Sequence, residues 1–324
     1  MADATPDLIG GIEAGGTKLV CALADLSTGK VIDRTSPGDP SFATGEGESG
    51  RDRVLDNAVA WLKSRPGRLA ALGIGSFGPV DLREGRITTT PKPGWKGFPL
   101  RDYFRHAFPS TKVGLDTDVS TAARGEREWG RGRGCSDFVY ITLGTGIGAG
   151  AVVDGGLLHG LVHPEMGHMR VPRVPGDTFP GICPRHGDCW EGLCSGPAIE
   201  ARTGRKAEEI LAGDAAWTYA VRYDAYAIAN LICVLSPQRV IVGGSVRKAG
   251  GLGEEAFFHR LREEVRTALA GYIVAPELSE EIGGYIVPPG LGDDAGVYGA
   301  LALALDALRS DGRDYFPVFR SIGS

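Results

Sequence analysis

Short apolar runs, glycine turns and helically spaced segments alternate along the chain. Residues 8–25 consist of two apolar runs on either side of a glycine turn, which predicts a β-hairpin. The pattern that follows predicts a helix over 54–64 and a buried strand over 69–77. It then predicts a strand over 112–118 that leads into a helix over 122–129.

A second hairpin pattern begins at residue 138, about 130 residues after the first. Residues 138–156 again place a glycine turn between two apolar runs. Later segments predict a strand over 239–242 and helices over 219–235, 252–270 and 295–308. Two such blocks predict an α/β protein built from two similar lobes, with a ligand in the cleft between them.

Charge and composition exclude several classes of partner. The 324 residues carry 35 basic and 40 acidic side chains, and this net charge of −5 favours neither a nucleic-acid partner nor a membrane surface. No signal peptide or membrane span is predicted, and six cysteines suit one metal site plus buried thiols. We therefore expect a cytoplasmic protein. Its 50 glycines cluster, which indicates places where backbone approaches a ligand closely.

The first glycine turn is a candidate phosphate site. Consecutive amides at Gly15 and Gly16 favour an anion, Thr17 offers a hydroxyl, and Lys18 offers a positive charge. Glu13 is a hard oxygen ligand that suits Mg²⁺, bound directly or through water. A plain hairpin turn is the alternative interpretation.

The second glycine turn strengthens the phosphate interpretation, because two turns at corresponding places can clamp one polyphosphate. It matches neither a dinucleotide-binding nor a Walker A motif. Two later glycine motifs are further candidates for contact with the adenosine. The ATP-binding candidates beyond the first turn are Gly144, Thr145, Gly146, Gly148, Gly243, Gly244, Gly292 and Asp293.

Asp118 is the candidate general base. It ends a strand and precedes a helix, and phosphoryl transfer to a sugar hydroxyl needs a carboxylate that accepts the hydroxyl proton. Asp116 is expected to brace or tune it. Asp118 could equally be the N-cap of the helix, although Ser120 is as good a cap and would leave Asp118 available for chemistry.

A histidine and cysteine cluster predicts a closed tetrahedral zinc site. The four candidate ligands are His168, Cys183, His186 and Cys189. Glu165 and Glu191 lie beside them in the sequence, and carboxylates together with a metal-bound imidazole suit sugar hydroxyls. Unrelated thiols and solvated surface charges are the alternative interpretation.

Taken together, these motifs resemble the ROK family of sugar kinases, and its bacterial fructokinases most. The resemblance runs from EAGGTK at Glu13 to GDDAG at Gly292 and includes GSFGPV, ITTTPKPGW and DTDVSTAARGE. It implies a two-lobed actin-like, hexokinase-like ATPase fold of duplicated ribonuclease H-like lobes, with a zinc-braced loop over 163–194. The small lobe would comprise residues 1–118 and about 306–324, and the large lobe residues 119–305. A homodimer is expected.

The resemblance also implies the roles of the site residues. ATP with Mg²⁺ would phosphorylate a hexose, D-fructose to fructose 6-phosphate, with Asp118 as base. Glucose-specific members have Asn immediately before the base, where this chain has Thr117. The implied sugar contacts are Gly78, Thr117, Asp118, Glu165, His168 and Glu191.

Two alternatives to a fructokinase remain open. One is a mannokinase or broad hexose kinase, because hexoses that differ at one hydroxyl are separated by few polar contacts. The other is a sugar-sensing repressor, which needs a DNA-binding module. We expect no such module, since the first hairpin starts at Leu8.

Overall fold

The computed structural model describes residues 7–36 and 38–310, so the end of the predicted small lobe, 311–324, lies outside the described residues. The described chain divides into two compact units. The first comprises residues 7–130, 157–163 and 294–310, and the second comprises 131–156 and 164–293. The lobe boundaries expected at residues 118 and 305 stay a prediction.

The first unit is built on a mixed five-stranded sheet with strand order β3-β2-β1-β4-β7. The predicted hairpin of residues 8–25 is confirmed, since β1 and β2 pair antiparallel, whereas β1, β4 and β7 run parallel. The strands are β1 (Asp7–Ala14), β2 (Leu19–Asp25), β3 (Val31–Arg34), β4 (Arg68–Ser76), β5 (Val80–Asp81), β6 (Arg86–Ile87) and β7 (Lys112–Thr117). The helices are α1 (Gly47–Lys63), α2 (Leu100–Ala107), α3 (Asp118–Trp129) and, from the end of the chain, α9 (Ala295–Arg309).

Both faces of this sheet are buried. Alternation along the strands sends Ile12 and Leu72 into the core that also contains the apolar faces of α1 and α2. Ile9 and Ala71 point to the opposite face, against α9. The near-continuous apolar runs of β1 and β4 follow from this two-sided burial.

The second unit repeats the strand arrangement of the first, with strand order β10-β9-β8-β11-β12. Its hairpin is antiparallel, and β8, β11 and β12 run parallel. The strands are β8 (Phe138–Leu143), β9 (Ile147–Val153), β10 (Gly156–Leu157), β11 (Val240–Gly243) and β12 (Ile286–Val287). The helices are α4 (Trp190–Cys194), α5 (Gly196–Thr203), α6 (Ala215–Leu235), α7 (Gly253–Leu269) and α8 (Ile282–Tyr285).

Two helices begin earlier than the sequence pattern predicts. α3 starts at Asp118 rather than at 122, because the hydroxyl of Thr117 caps it by accepting the Ser120 N–H at 3.2 Å. α1 starts at Gly47 rather than at Val54, because its first two turns are polar and do not show the apolar spacing. Within the described residues, no helix combines the length and the apolar character that crossing a membrane requires.

Candidate active site

The first glycine turn joins β1 to β2 and is open to solvent. Its backbone closes with a 2.9 Å hydrogen bond from Gly15 N to Lys18 O, and residues 16–18 are exposed. A Cβ at Gly16 would meet no atom within 4 Å. The fold itself therefore does not require a glycine at this position, which suits close approach by a ligand.

Asp118 lies at the corner between β7 and α3. Its Oδ1 accepts the backbone N–H of Val119 at 2.8 Å, and its side chain is partly buried. Thr117, not Ser120 as the sequence analysis suggested, caps the helix, because the hydroxyl of Thr117 accepts the buried N–H of Ser120 in the first turn. The capping role considered for Asp118 is thereby filled by its neighbour.

Glu13, Asp118 and Asp294 form a group of interacting carboxylates in the first unit. Burial, together with the charges of Asp118 and Asp294 and against the opposing charge of Lys18, raises the pKa of Glu13 to about 7. The N–H of Val297 in α9 also bonds to Glu13. Hard oxygen ligands whose charges repel one another are the donor set that Mg²⁺ suits, so the residues present fit that ion.

Glu13 is held against α9. A Cβ at Gly296 would lie 2.3 Å from the Glu13 carboxyl carbon, so only glycine at the start of α9 leaves room for the carboxylate. Asp294 immediately precedes α9 and forms an ion pair with Arg34.

Asp116 has a partner that the sequence analysis missed. The carboxylate is fully buried, and its Oδ2 lies 2.8 Å from Nε2 of His159, whose side chain is 6% exposed. The other carboxylate oxygen accepts the N–H of Thr117 at 2.7 Å. Asp116 therefore ties residues 157–163 to the end of β7, and the bracing or tuning role expected for it stays a prediction.

A second histidine also ties residues 157–163 to the first unit. Nε2 of His163 accepts the N–H of Val80 at 3.0 Å, and His163 is 4% exposed. Val80 follows Gly78, a predicted sugar contact, by two residues. The tandem spacing of histidines at 159 and 163 is the only hint of these two contacts in the sequence.

The second glycine turn connects β8 and β9 in the second unit. It closes with a 2.9 Å hydrogen bond from Gly144 N to Gly146 O. Oε2 of Glu191 accepts the N–H of Ile147 at 3.0 Å and lies 2.8 Å from where a Gly146 Cβ would be. A hydrogen bond thus connects Glu191, a predicted sugar contact, to the second glycine turn, which is predicted to bind ATP.

The later glycine motifs have mixed environments. Gly244 has φ +87°, and a Cβ there would lie 2.1 Å from the carbonyl oxygen of Leu143, so packing alone requires a glycine. A Cβ at Gly243 would meet the Tyr140 hydroxyl at 2.4 Å. Asp293 forms a 2.8 Å ion pair with Lys248. Contact of these residues with ATP stays a prediction.

The four predicted zinc ligands lie together in the second unit. One donor atom from each of His168, Cys183, His186 and Cys189 lies within 4.8 Å of all the others. Nδ1 of His168 is 3.5 Å from the Cys189 sulfur and 3.8 Å from the Cys183 sulfur, which lies 3.6 Å from Nδ1 of His186. Tetrahedral zinc separates sulfur and nitrogen ligands by about 3.6 Å, so this set fits the ion.

A tight backbone knuckle positions these ligands. Cys183 and Gly187 exchange backbone hydrogen bonds of 3.1 and 2.8 Å, with Gly187 at φ +65°. A Cβ at Gly192 would lie 2.0 Å from the Gly187 oxygen, which explains the glycine there. Burial, together with neighbouring Cys183, raises the pKa of the Cys189 thiol to about 11.

The sequence model of the ROK family matches residues 9–307. The chain belongs to the ROK family. A protein of Bacillus subtilis (strain 168), provisionally named a fructokinase, is 42% identical to this ROK chain over 309 residues, which are 94% of this chain and 97% of that one. A fructokinase of Pediococcus pentosaceus is 38% identical over 280 residues, covering 85% of this chain and 91% of the relative.

A solved structure of the same family matches the fold of this ROK chain. It is a glucokinase from Streptomyces griseus in complex with glucose and AMPPNP. The match has a TM-score of 0.72 and 27% sequence identity, and it covers 92% of this chain and 99% of that chain. The mixed α/β architecture is therefore that of ROK sugar kinases.

Proposed function

We propose that this ROK protein is a sugar kinase that transfers the γ-phosphoryl group of ATP to a hexose, with D-fructose as preferred substrate. The observation that carries the proposal is the group formed by Glu13, Asp118 and Asp294 beside an open glycine turn. Acidic side chains next to an exposed anion-binding turn suit a reaction in which one carboxylate takes a proton and others hold a cation.

The proposed reaction requires a base, a phosphate cradle and a positioned hydroxyl. Asp118 accepts the proton of the hexose hydroxyl, whose oxygen then attacks the γ-phosphorus. The bond between that phosphorus and the β–γ bridging oxygen breaks, and ADP leaves. The open amides of Gly16 and Thr17 hold phosphate oxygens, and Lys18 adds a positive charge.

Mg²⁺ fits the same group of carboxylates. Glu13 would hold it, directly or through water, and the ion supplies charge neutralisation of the phosphates when bound. A bound cation also relieves the repulsion that raises the pKa of Glu13.

The metal centre of the second unit is proposed to bind one structural zinc ion through His168, Cys183, His186 and Cys189. Two sulfur and two nitrogen donors complete a tetrahedral set and leave no open position for chemistry. Both imidazoles face the sulfurs through Nδ1, so each keeps Nε2 for another contact. Nε2 of His168 is therefore proposed to contact the hexose, together with Glu165 and Glu191, which lie beside the ligands in the sequence.

Fructose is preferred over glucose for two reasons. Relatives that are 42% and 38% identical over most of the chain carry fructokinase names, whereas the glucokinase structure is 27% identical. Glucose-specific members have Asn where Thr117 stands, and the Thr117 hydroxyl already accepts a hydrogen bond from the Ser120 amide. A mannokinase or broad hexose kinase is the alternative within the class.

A coupled ADP-release assay with ATP and Mg²⁺ tests this proposal over D-fructose, D-mannose, D-glucose and D-glucosamine. We expect kcat/KM for fructose to exceed that for each other sugar by about tenfold or more, the factor that the loss of one ordinary hydrogen bond gives. Equal rates with fructose and glucose would contradict the proposed preference for fructose but not the proposed kinase activity. Hexose binding without turnover of any sugar would instead favour a sugar sensor.

Elemental analysis tests the zinc proposal. We expect about one zinc per chain in the purified protein, and loss of zinc with a lower Tm in Cys183→Ser. Exposed Cys233 lies outside the ligand cluster, so Cys233→Ser is the matched control and should retain both zinc and Tm. Protein that contains no zinc and melts like Cys183→Ser would contradict the proposal.

A further inference from the structure

Lys92 is a half-buried cation that neither the fold nor the proposed chemistry has yet explained. It belongs to the ITTTPKPGW segment, and its Nζ lies 4.3 Å from the ring centre of Phe77 and 5.8 Å from that of Trp95. Burial lowers its pKa to about 8. Burial is the cause of that shift, and among residues 7–36 and 38–310 no carboxylate forms an ion pair with the Lys92 ammonium. The two aromatic rings offset part of the cost of desolvating this cation, and a bound anion would offset more of it.

The ammonium is directed towards the first glycine turn. Nζ donates to Oγ1 of Thr44 at 3.0 Å. Thr44 packs on the turn, because its backbone N–H bonds to Thr17 O at 3.0 Å and its hydroxyl lies 3.4 Å from Gly16 O. Lys92 therefore reaches the proposed phosphate cradle through a single intervening side chain, and an ammonium has further N–H donors beyond the one that Thr44 takes.

Lys92 also lies close to Gly78, a predicted sugar contact. Phe77, over which the ammonium lies, immediately precedes Gly78. A positive charge near both the first glycine turn and the predicted sugar contact Gly78 suits the γ-phosphoryl group, because that group moves from the nucleotide to the sugar. All of these residues belong to the first unit.

From this placement we infer that Lys92 is a phosphate-binding residue that contacts the transferred phosphoryl group, both as the γ-phosphate of ATP and as the phosphate of the hexose product. The inference rests on the proposed kinase function. Lys92 donates hydrogen bonds and charge but no proton, since Asp118 takes the proton of the hydroxyl.

Lys92→Met keeps the aliphatic contact with both rings and removes the charge. We expect kcat/KM for ATP to fall by about ten- to a hundredfold, the size of one charge-assisted hydrogen bond. Affinity for a non-hydrolysable ATP analogue should fall by a similar factor, whereas affinity for ADP should stay within about twofold. Inhibition by the hexose phosphate product should weaken as well.

The stability of the same variant separates binding from architecture. The variant loses the cost of desolvating the charge together with the ring contacts and the Thr44 hydrogen bond, so the Tm of ligand-free Lys92→Met should stay close to that of wild type. Lys92→Arg should recover most of the activity, and Lys96→Met, at the exposed position directly after the segment, should behave like wild type. If Lys92→Met does not fold, Lys92→Gln carries the same comparison.

Three outcomes would overturn the inference. Wild-type kcat/KM in folded Lys92→Met excludes the contact. If the affinities for ADP and for the ATP analogue fall equally, Lys92 contacts the α- or β-phosphate instead of the γ-phosphate. A lower Tm with unchanged nucleotide affinity makes the residue structural. Failure of the wild-type protein to phosphorylate any hexose would instead reject the proposed kinase function. That result is distinct from the three above, which all concern the Lys92→Met variant.

Discussion

At the scale of single residues, the buried pair of Asp116 and His159 holds two distant parts of the first unit together. A fully buried carboxylate at 2.8 Å from an imidazole nitrogen needs that partner, because removing one member of a buried pair leaves the other uncompensated. Asp116 also lies two residues before Asp118, so the pair supports the junction of β7 and α3, where the proposed base lies.

His159→Ala should therefore lower the free energy of unfolding by about 3–5 kcal/mol, as found when one partner of a buried pair is deleted. Chemical denaturation measures this directly. His106 is exposed on α2, and His106→Ala should change stability by no more than about 0.5 kcal/mol. Similar values for the two variants would show that His159 does not support Asp116.

Only part of this residue-scale picture could be predicted from the sequence. The position of Asp118 at the junction of β7 and α3 is confirmed, because a carboxylate between an apolar run and a helical pattern is recognisable in the sequence, whereas its role as base stays a prediction. His159 was missed because it lies 43 positions from Asp116, and no local rule pairs residues across that distance. The sequence does not single out Lys92 within its motif, because the partial burial of a lysine cannot be predicted from its neighbours in the sequence.

At the scale of elements, close backbone approach between α9 and its neighbours decides how the first unit packs. A Cβ at Gly73 in β4 would lie 1.9 Å from the oxygen of Ala300, and one at Gly299 would lie 1.8 Å from the oxygen of Thr121 in α3. Gly73 and Gly299 therefore serve helix packing and not the close ligand approach that the composition alone indicated.

Gly299→Ala tests that packing. In an open helix, alanine gains about 1 kcal/mol over glycine, but here the methyl group would clash with backbone, so we expect net destabilisation, seen as a lower Tm. In α8, a Cβ at Gly283 meets nothing within 4 Å, so Gly283→Ala should leave Tm unchanged or raise it. A Tm increase in both variants would contradict the packing account.

A buried acid also makes the packing of α4 against α6 sensitive to pH. Oδ1 of Asp224 in α6 accepts the indole N–H of Trp190 at 2.7 Å, and burial raises the pKa of Asp224 to about 8. Its other oxygen, Oδ2, is buried without a hydrogen-bond partner among the described residues. The folded protein therefore favours the protonated acid.

The sign of the pH dependence follows from this shift. Between the ordinary Asp pKa of 3.8 and about 8, the folded state holds a proton that the unfolded state releases, so stability falls as pH rises and levels off above about 8. One proton corresponds to about 1.4 kcal/mol per pH unit. Asp224→Asn should remove this component, and denaturation curves at pH 5, 7 and 9 measure it. An unchanged pH slope in the variant would contradict the assignment.

At the scale of the whole molecule, repetition of the strand order in the two units explains why so much of the architecture could be predicted. Both hairpins of the sequence pattern are present, and each is followed by parallel strands. The assignment of residues 157–163 to the first unit could not be predicted, because it depends on the side chains of His159 and His163 rather than on periodicity.

The most direct test of the account is the turnover number of Asp118→Asn with ATP, Mg²⁺ and D-fructose. The amide preserves shape but cannot accept the hydroxyl proton, so kcat should fall by about 10²- to 10⁴-fold, while hexose and ADP affinities and Tm stay near wild type. Exposed Asp52 in α1 gives the matched control, Asp52→Asn, which should retain full turnover. A kcat for folded Asp118→Asn within tenfold of wild type would contradict the claim that Asp118 is the base.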